Sequence, residues 1–260
     1  MNLLHSNIIG NTGGVDLIIL HGFLGMGDNW KTHAKSLSQV GYKVHLIDQR
    51  NHGKSFWSDA FNYTLMARDL VYYCNIHNLN KVLFLGHSMG GKVVMNLACE
   101  FPETVEAFIV ADIAPKNYEP HHQEILNGLS NLDLKSIDSR LLADKELAKY
   151  VEDSAIRQFL LKNLYWKTSG DLGLRVNIDV LKNSNEVIAR GLEEDANSIH
   201  PCLFIKGESS DYILDSDKDK INNHFPNAEH QLITEVGHWL HAEDPYQFFN
   251  VIYNWLEKYR

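Results

Sequence analysis

The chain has 260 residues, a length that suits one large α/β domain or two small domains. Hydrophobic residues make up 44% and charged residues 22%, an ordinary globular composition that argues against disorder and allows a large buried core. The formal net charge is −9, and because no cluster of Lys and Arg compensates it, nucleic-acid binding is disfavoured.

The cysteines and the apolar segments also bear on the type of protein. Three cysteines at wide spacings, without a Cys-x-x-Cys pair, support neither a disulfide framework nor a thiolate zinc site. The N-terminus lacks a basic region followed by a long apolar run, which argues against a signal peptide. No apolar stretch reaches the length that spans a bilayer. The sequence therefore predicts a cytoplasmic protein without a metal ion or a membrane partner, and it leaves the oligomeric state open.

Short apolar runs rich in Val, Ile, Leu and Phe predict six buried strands. The predicted strands are Val15–Leu20, Tyr42–Ile47, Val82–Leu85, Ala107–Ala111, Cys202–Ile205 and His230–Thr234. The predicted helices are Asn29–Val40, Leu65–Asn78, Gly91–Phe101 and Gln247–Lys258. Strands that alternate with helices indicate a mostly parallel sheet, in which ligands bind beyond the carboxyl ends of the strands.

Residues 116–200 interrupt this alternation. Their apolar spacing is typical of helices over Leu141–Tyr150 and Ile156–Trp166, and no strand is predicted among them. The segment is too long for a bare loop. The sequence thus predicts a core made of residues 1–115 and 201–260, with residues 116–200 inserted as a helical lid. A helical subdomain with only a packing role is the alternative.

The central motif is Gly86-His87-Ser88-Met89-Gly90, which fits G-x-S-x-G between a predicted strand and a predicted helix. In that context the serine lies on a sharp, strained turn with its hydroxyl exposed above the sheet. The glycines remove side chains that would collide in so tight a turn. The positive end of the following helix favours an oxyanion there. The motif therefore predicts Ser88 as a nucleophile.

A second motif overlaps the first. Residues 86–92 also fit G-x-x-x-x-G-K, the start of a phosphate-binding loop that likewise joins a strand to a helix. That loop needs Ser or Thr at the next position to hold magnesium, and Val93 stands there. The phosphate-binding interpretation is therefore disfavoured, and Lys92 is expected on a solvated helix face or in a local ion pair.

The other members of a catalytic triad follow Ser88 in the chain order Ser, Asp or Glu, His that belongs to this turn. His238 comes after the last predicted strand and is the predicted general base. Two aspartates, Asp112 and Asp211, each follow a predicted strand and are candidates for the acid. From spacing alone the choice between them stays open.

An oxyanion hole needs backbone N–H groups aimed at the developing negative oxygen. One donor in such sites comes from the residue after the nucleophile, which here is Met89. The other comes from the loop after an early strand. Phe23, in the segment that follows the first predicted strand, is the candidate.

Four blocks of sequence extend the pattern beyond single residues. The chain resembles the YbfF-type bacterial esterases of the α/β-hydrolase superfamily at Asp48–Ser55, Gly86–Lys92, Asp112–Pro115 and Gly237–Pro245. The resemblance implies an α/β-hydrolase fold with a mostly parallel sheet flanked by helices. It also implies hydrolysis of carboxylic esters, with thioesters tolerated and with no cofactor.

The resemblance also bears on the triad acid. Most superfamily members carry Gly-x-x-Asp after the seventh strand. Here Ser210 occupies the position of that Asp, three residues after Gly207, and Asp211 comes one residue later. In extended chain a shift of one residue turns a side chain to the opposite face. The YbfF-type resemblance implies that Asp112 orients His238 with Ser210 as a helper, and Asp211 is then the alternative acid.

The sequence predicts a serine esterase acting on a small-molecule ester or thioester with a short to medium acyl chain. Two alternatives retain the triad, because the triad alone does not select the bond that is cleaved. One is a ligand receptor that has kept the triad, and the other is a carbon–carbon bond hydrolase or perhydrolase. Dehalogenases of this superfamily carry Asp in place of Ser88 and are disfavoured.

Overall fold

The computed structural model describes residues 2–168 and 171–260, so Met1 and residues 169–170 of the predicted insertion lie outside the described residues. The strands are β1 (Ser6–Ile9), β2 (Val15–Leu20), β3 (Tyr42–Ile47), β4 (Val82–His87), β5 (Val105–Ala111), β6 (Leu164–Thr168), β7 (Asp171–Leu174), β8 (Cys202–Gly207) and β9 (Ala228–Ile233). Seven of them form a sheet in the order β1-β3-β2-β4-β5-β8-β9. Only β1 pairs antiparallel within that sheet, so the predicted mostly parallel sheet is confirmed.

Helices cover both faces of the sheet. They are α1 (Lys31–Gln39), α2 (Tyr63–Ile76), α3 (Met89–Glu100), α4 (Gln123–Ser130), α5 (Arg140–Leu147), α6 (Ser154–Leu161), α7 (Ile178–Asn183), α8 (Asn185–Ala189), α9 (Lys218–His224), α10 (Leu240–Glu243) and α11 (Pro245–Leu256). The apolar residues of α1 and α11 pack on one face, and those of α2, α3 and α9 pack on the other. Each face therefore buries its own hydrophobic core, as a parallel sheet requires.

Strand β1 was not predicted from the sequence. It pairs antiparallel with β3 at the edge of the sheet, and its residues are half-buried or exposed. An edge strand of this kind needs no continuous apolar run, so the sequence carries no strong signal for it.

Residues 116–200 contain α4 to α8 and also the antiparallel pair of strands β6 and β7. The expectation that this segment has no strand is therefore wrong, and so is the predicted helix over Ile156–Trp166. Helix α6 ends at Leu161, where Lys162 and Asn163 turn the chain, and Leu164 begins a strand. Short apolar runs fit a helix and a strand equally well, and here the aromatic pair Tyr165 and Trp166 belongs to the strand.

Lys92 lies in the second turn of α3 and is almost fully buried, so the expectation of a solvated face or an ion pair is wrong. Its ammonium donates to the carbonyl oxygens of Lys116 and Ala189, both at 3.1 Å, and to that of Arg190. Burial lowers the pKa of Lys92 to about 7, while three carbonyl acceptors favour its protonated form. One side chain thus joins the helix after Ser88 to both ends of the inserted segment, and its N–H groups are taken up by carbonyl oxygens.

The strand order brings several loops together at one edge of the sheet. The chain passes from β2 to β3 on one side of β2 and then returns to β4 on the other side. Ligands bind at such a switch point, beyond the carboxyl ends of the strands. The loops after β2, β4, β5, β8 and β9 all open there, and they carry the candidate residues.

Candidate active site

Ser88 occupies the strained turn that the motif predicts. Its φ is 52° and its ψ is −118°, a conformation that L residues seldom adopt. A side chain at Gly86 would meet the carbonyl oxygen of Gly90, and one at Gly90 would meet that of Leu20. The Ser88 N–H donates to Ala111 O at 3.0 Å, which ties the turn to the end of β5.

Ser88, His238 and Asp112 form a continuous hydrogen-bonded chain. The Ser88 hydroxyl lies 3.1 Å from Nε2 of His238, within reach of a proton transfer. His238 Nδ1 lies 2.8 Å from Oδ2 of Asp112. His238 follows β9 and Asp112 follows β5. The fold therefore brings His238 together with Asp112, which lies 126 positions away in the chain, and with Ser88, which lies 150 positions away.

Asp112 is fully buried between the ends of neighbouring strands. Its φ of 54° turns the chain sharply after β5, in a region that Asp tolerates better than most residues. Its carboxylate accepts from the Gly207 N–H at 3.1 Å and from the Ser210 hydroxyl, in addition to His238. Asp211 is exposed to solvent, one residue beyond Ser210.

The loop after β2 presses directly against the turn that holds Ser88. A Cβ on Gly22 would lie 3.3 Å from Ser88 Cβ and 2.8 Å from His87 Nδ1, so only glycine fits there. This close approach brings Phe23, the next residue, beside Ser88. Phe23 and Met89 both line the cavity walls at Ser88.

Two cavities open at Ser88. The larger has a volume of about 610 Å³, and its apolar wall includes Leu24, Ile125, Ile156, Phe159 and Trp239. His238 lines this cavity as well. The smaller has a volume of only about 20 Å³ and extends between α3, α8 and the loop after β5. A ligand carbonyl placed at Ser88 therefore has unequal space on its two sides.

The chain matches the α/β-hydrolase fold family over residues 17–245. It belongs to that family. Two relatives are an sn-1-specific diacylglycerol lipase of Danio rerio, 36% identical over 99% of this chain and 83% of the lipase, and the esterase YbfF of Escherichia coli, 33% identical over 88% of each chain. A solved marine microorganism esterase superposes with a TM-score of 0.94 at 38% identity, covering 98% of this chain and 99% of that one. The resemblance to YbfF-type esterases is thereby confirmed, and the protein is a carboxylic ester hydrolase.

A metal-binding cluster and a membrane-spanning helix are both absent from the described part of the hydrolase. Within residues 2–168 and 171–260, no three or more His, Cys, Asp or Glu side chains gather in a way that could bind a metal ion. In the same part of the chain, none of the helices has both the length and the apolar character needed to cross a bilayer.

Tyr212 is a site residue of this hydrolase that the sequence did not reveal. Its ring stacks on His238 with the centroids 3.7 Å apart and the planes inclined by 14°. Tyr118 donates its hydroxyl hydrogen to Tyr212 O at 2.5 Å, and the Tyr212 hydroxyl lies 2.6 Å from Nε2 of His121. Residues of the inserted segment thereby hold the ring against His238. The only sequence signal was an aromatic residue two positions after Ser210.

Neutral histidines fix the loops around the hydrolase site. His21 Nε2 accepts from the Gln49 N–H at 3.1 Å, so its Nδ1–H donates to Gly22 O at 2.8 Å. His52 Nε2 accepts from the Leu24 N–H at 3.2 Å, so its Nδ1–H donates to Arg50 O at 2.9 Å. A ring that must both accept and donate has to be neutral, so these bonds require unprotonated histidine.

Five mostly buried histidines share a lowered pKa because burial disfavours the imidazolium. Their pKa falls to about 4 for His21, to about 3 for His52, His87 and His122, and well below the usual value for His241. The unfolded chain binds protons below about pH 6.5 that the folded chain does not. The stability these rings contribute is thus complete above pH 6.5 and is lost as the pH falls toward 4. We expect the free energy of unfolding to fall by several kcal/mol between pH 6.5 and about 5.

Urea denaturation at a series of pH values measures this loss. The matched variant is His241→Phe, since His241 stacks on Trp30 at 4.1 Å and a phenyl ring can keep that contact. This variant should take up about one proton fewer on unfolding. The slope of its free energy of unfolding against pH should therefore be lower by about 1.4 kcal/mol per pH unit. Equal free energies of unfolding at pH 7 and pH 5 in the parent would contradict the expectation.

Proposed function

We propose that this hydrolase cleaves esters through an acyl-enzyme on Ser88, with His238 as general base and Asp112 as the acid that orients it. The observation that carries the proposal is the chain of contacts from Ser88 Oγ through both ring nitrogens of His238 to Asp112 Oδ2, at 3.1 and 2.8 Å. The exposed Asp211 is then not required for the reaction. This arrangement matches the order and roles of a serine-hydrolase triad.

In the first half-reaction, Ser88 Oγ attacks the ester carbonyl carbon while His238 Nε2 takes the hydroxyl proton. The backbone N–H groups of Phe23 and Met89 bind the resulting oxyanion. The tetrahedral intermediate then expels the alcohol oxygen, which receives the proton from His238. In the second half, His238 takes a proton from water, the hydroxide attacks the acyl-enzyme, and Ser88 leaves with that proton.

Three groups act on His238 in this proposal. Asp112 accepts the Nδ1 proton, fixes the tautomer in which Nε2 is basic, and stabilises the imidazolium that forms. Ser210 donates to the same carboxylate and holds it in place. Tyr212 stacks on the ring, and its π face stabilises the transient positive charge. None of these groups needs a cofactor.

We propose that residues 116–200 serve as a lid. Ile125, Ile156 and Phe159 come from this segment and line the 610 Å³ cavity beside Ser88. An apolar wall that excludes water strengthens the electrostatic interactions inside the site. The substrate is accordingly a small-molecule ester with an apolar part, with a short to medium acyl chain, and coenzyme A thioesters are a second class to be tested.

A ligand receptor that has kept the triad would share all of this geometry, so turnover has to be measured. We expect the purified protein to react with a fluorophosphonate probe at Ser88 and to hydrolyse a nitrophenyl ester over many turnovers. Prior labelling should remove the hydrolysis. Slow labelling together with release of a single equivalent of nitrophenol would favour the receptor and refute the proposed enzyme.

A further inference from the structure

The two cavities at Ser88 differ in size and in the residues that line them. The small cavity is enclosed by Met89, Ile113 and Ile188, with Tyr63 and Asn185 also in its wall. Its volume of about 20 Å³ holds roughly one water molecule, which corresponds to a methyl or ethyl group. The large cavity is about thirtyfold larger, which follows from 610 Å³ against 20 Å³.

The position of His238 decides which of the two cavities receives the leaving alcohol. The alcohol oxygen must take its proton from His238 Nε2, so the alcohol lies on the side of that ring. His238 and Trp239 line the large cavity, whereas neither lines the small one. The acyl chain points away from the histidine. The small cavity, on the side of Met89, is the space left for it.

We propose that the acyl group of the substrate occupies the small cavity, while a larger apolar alcohol or thiol occupies the large one. The assignment rests on the proposed function and narrows its substrate class. The preferred substrates are esters of short acids, of about two or three carbons, with bulky apolar alcohols.

The wall of the small cavity is braced, so a longer acyl chain cannot easily widen it. The Tyr63 hydroxyl donates to Ile188 O at 2.7 Å, and Lys92 donates to the carbonyl oxygen of the next residue, Ala189, at 3.1 Å. Within the described part of the chain, Asn185 Oδ1 is buried without a hydrogen-bond partner. An alkyl chain offers no donor to that atom, so a longer acyl group gains no hydrogen bond there.

Two series of esters test the assignment in the parent enzyme. In the first, the alcohol is nitrophenol and the acyl chain grows from acetyl to octanoyl. We expect kcat/KM to fall by at least about tenfold between butyryl and octanoyl. In the second, the acid is acetic acid and the alcohol grows from methanol to hexanol. Here kcat/KM should rise by at least about tenfold, because each added methylene is buried in the large cavity.

Two matched isoleucine variants determine which cavity limits the length of the acyl chain. Ile188→Ala enlarges the small cavity and should raise the octanoyl to acetyl ratio of kcat/KM by about tenfold. Ile156→Ala changes only the large cavity, so it should leave that ratio unchanged while altering the alcohol series. Urea denaturation checks that both variants are folded. If Ile188→Ala does not fold, the two series on the parent enzyme still decide the matter.

The reverse assignment places a long acyl chain in the large cavity and a small alcohol in the small one. Faster hydrolysis of octanoyl than acetyl esters, with no gain from longer alcohols, would overturn our proposal while leaving the role of Ser88 intact. A shift of the acyl ratio by Ile156→Ala instead of Ile188→Ala would overturn it as well. If no ester in either series is turned over, the proposed function itself fails, and this assignment fails with it.

Discussion

Replacing Ser88 by alanine is expected to lower kcat for a nitrophenyl ester by several powers of ten. The residual rate should remain about 10³–10⁴ above the reaction in water, because an oxyanion hole and substrate binding persist without the nucleophile. The variant should stay folded, since alanine removes only a hydroxyl from the turn. Steady-state hydrolysis and urea denaturation of both proteins measure the two quantities.

Ser209→Ala is the matched control, because Ser209 is exposed in the loop that leads to Ser210. It should keep the parent kcat and free energy of unfolding. Turnover near the parent rate in Ser88→Ala would mean that the reaction does not pass through an acyl-serine. The strained turn at Ser88 would then be a structural feature alone.

The second large effect concerns the acid of the triad. Asp112→Asn is expected to lower kcat by up to about 10⁴, because the amide favours the wrong imidazole tautomer. The Asn side chain has nearly the same shape, and its oxygen can still accept from the Gly207 N–H. The loss should therefore appear in kcat far more than in the free energy of unfolding. Hydrolysis measured against pH, with urea denaturation of the same samples, separates the two.

Asp211→Asn is the control, because Asp211 is exposed. Its kcat should equal that of the parent, and its free energy of unfolding should remain within about 0.5 kcal/mol, as is usual for a surface substitution. A crippled Asp211→Asn beside an active Asp112→Asn would assign the acid to the common superfamily position after β8. A large loss of kcat in both variants would mean that the two carboxylates act together.

Much of the fold was predictable from the sequence because local patterns specify it. Strands β2, β3, β4, β5 and β8 are rich in buried apolar residues, as parallel strands inside a sheet require, and their predicted positions agree with the observed strands within a few residues. The edge strands gave weaker signals: β1 was missed, and β9 begins two residues before its predicted start at His230. An edge strand is only half-buried, so its sequence is less constrained.

The inserted segment was harder to predict, and Lys92 shows why. A lysine on a helix is expected in solvent, since burying an ammonium costs free energy unless acceptors surround it. Here the acceptors are three carbonyl oxygens from the two ends of residues 116–200. They are at least 24 residues away in the chain, and no local pattern places them beside α3.

The sequence by itself determined the fold class, and it singled out Ser88 and His238 as candidates, because a strand–turn–helix motif and a chain order are local features that can be read directly. Only the tertiary structure decided that Asp112, and not Asp211, lies against His238, and that Tyr212 stacks on the same ring. It also revealed the unequal cavities on the two sides of Ser88. The physical reason is that these contacts join residues more than twenty positions apart, and their geometry depends on strand order, on the turn after each strand and on the packing of the inserted segment.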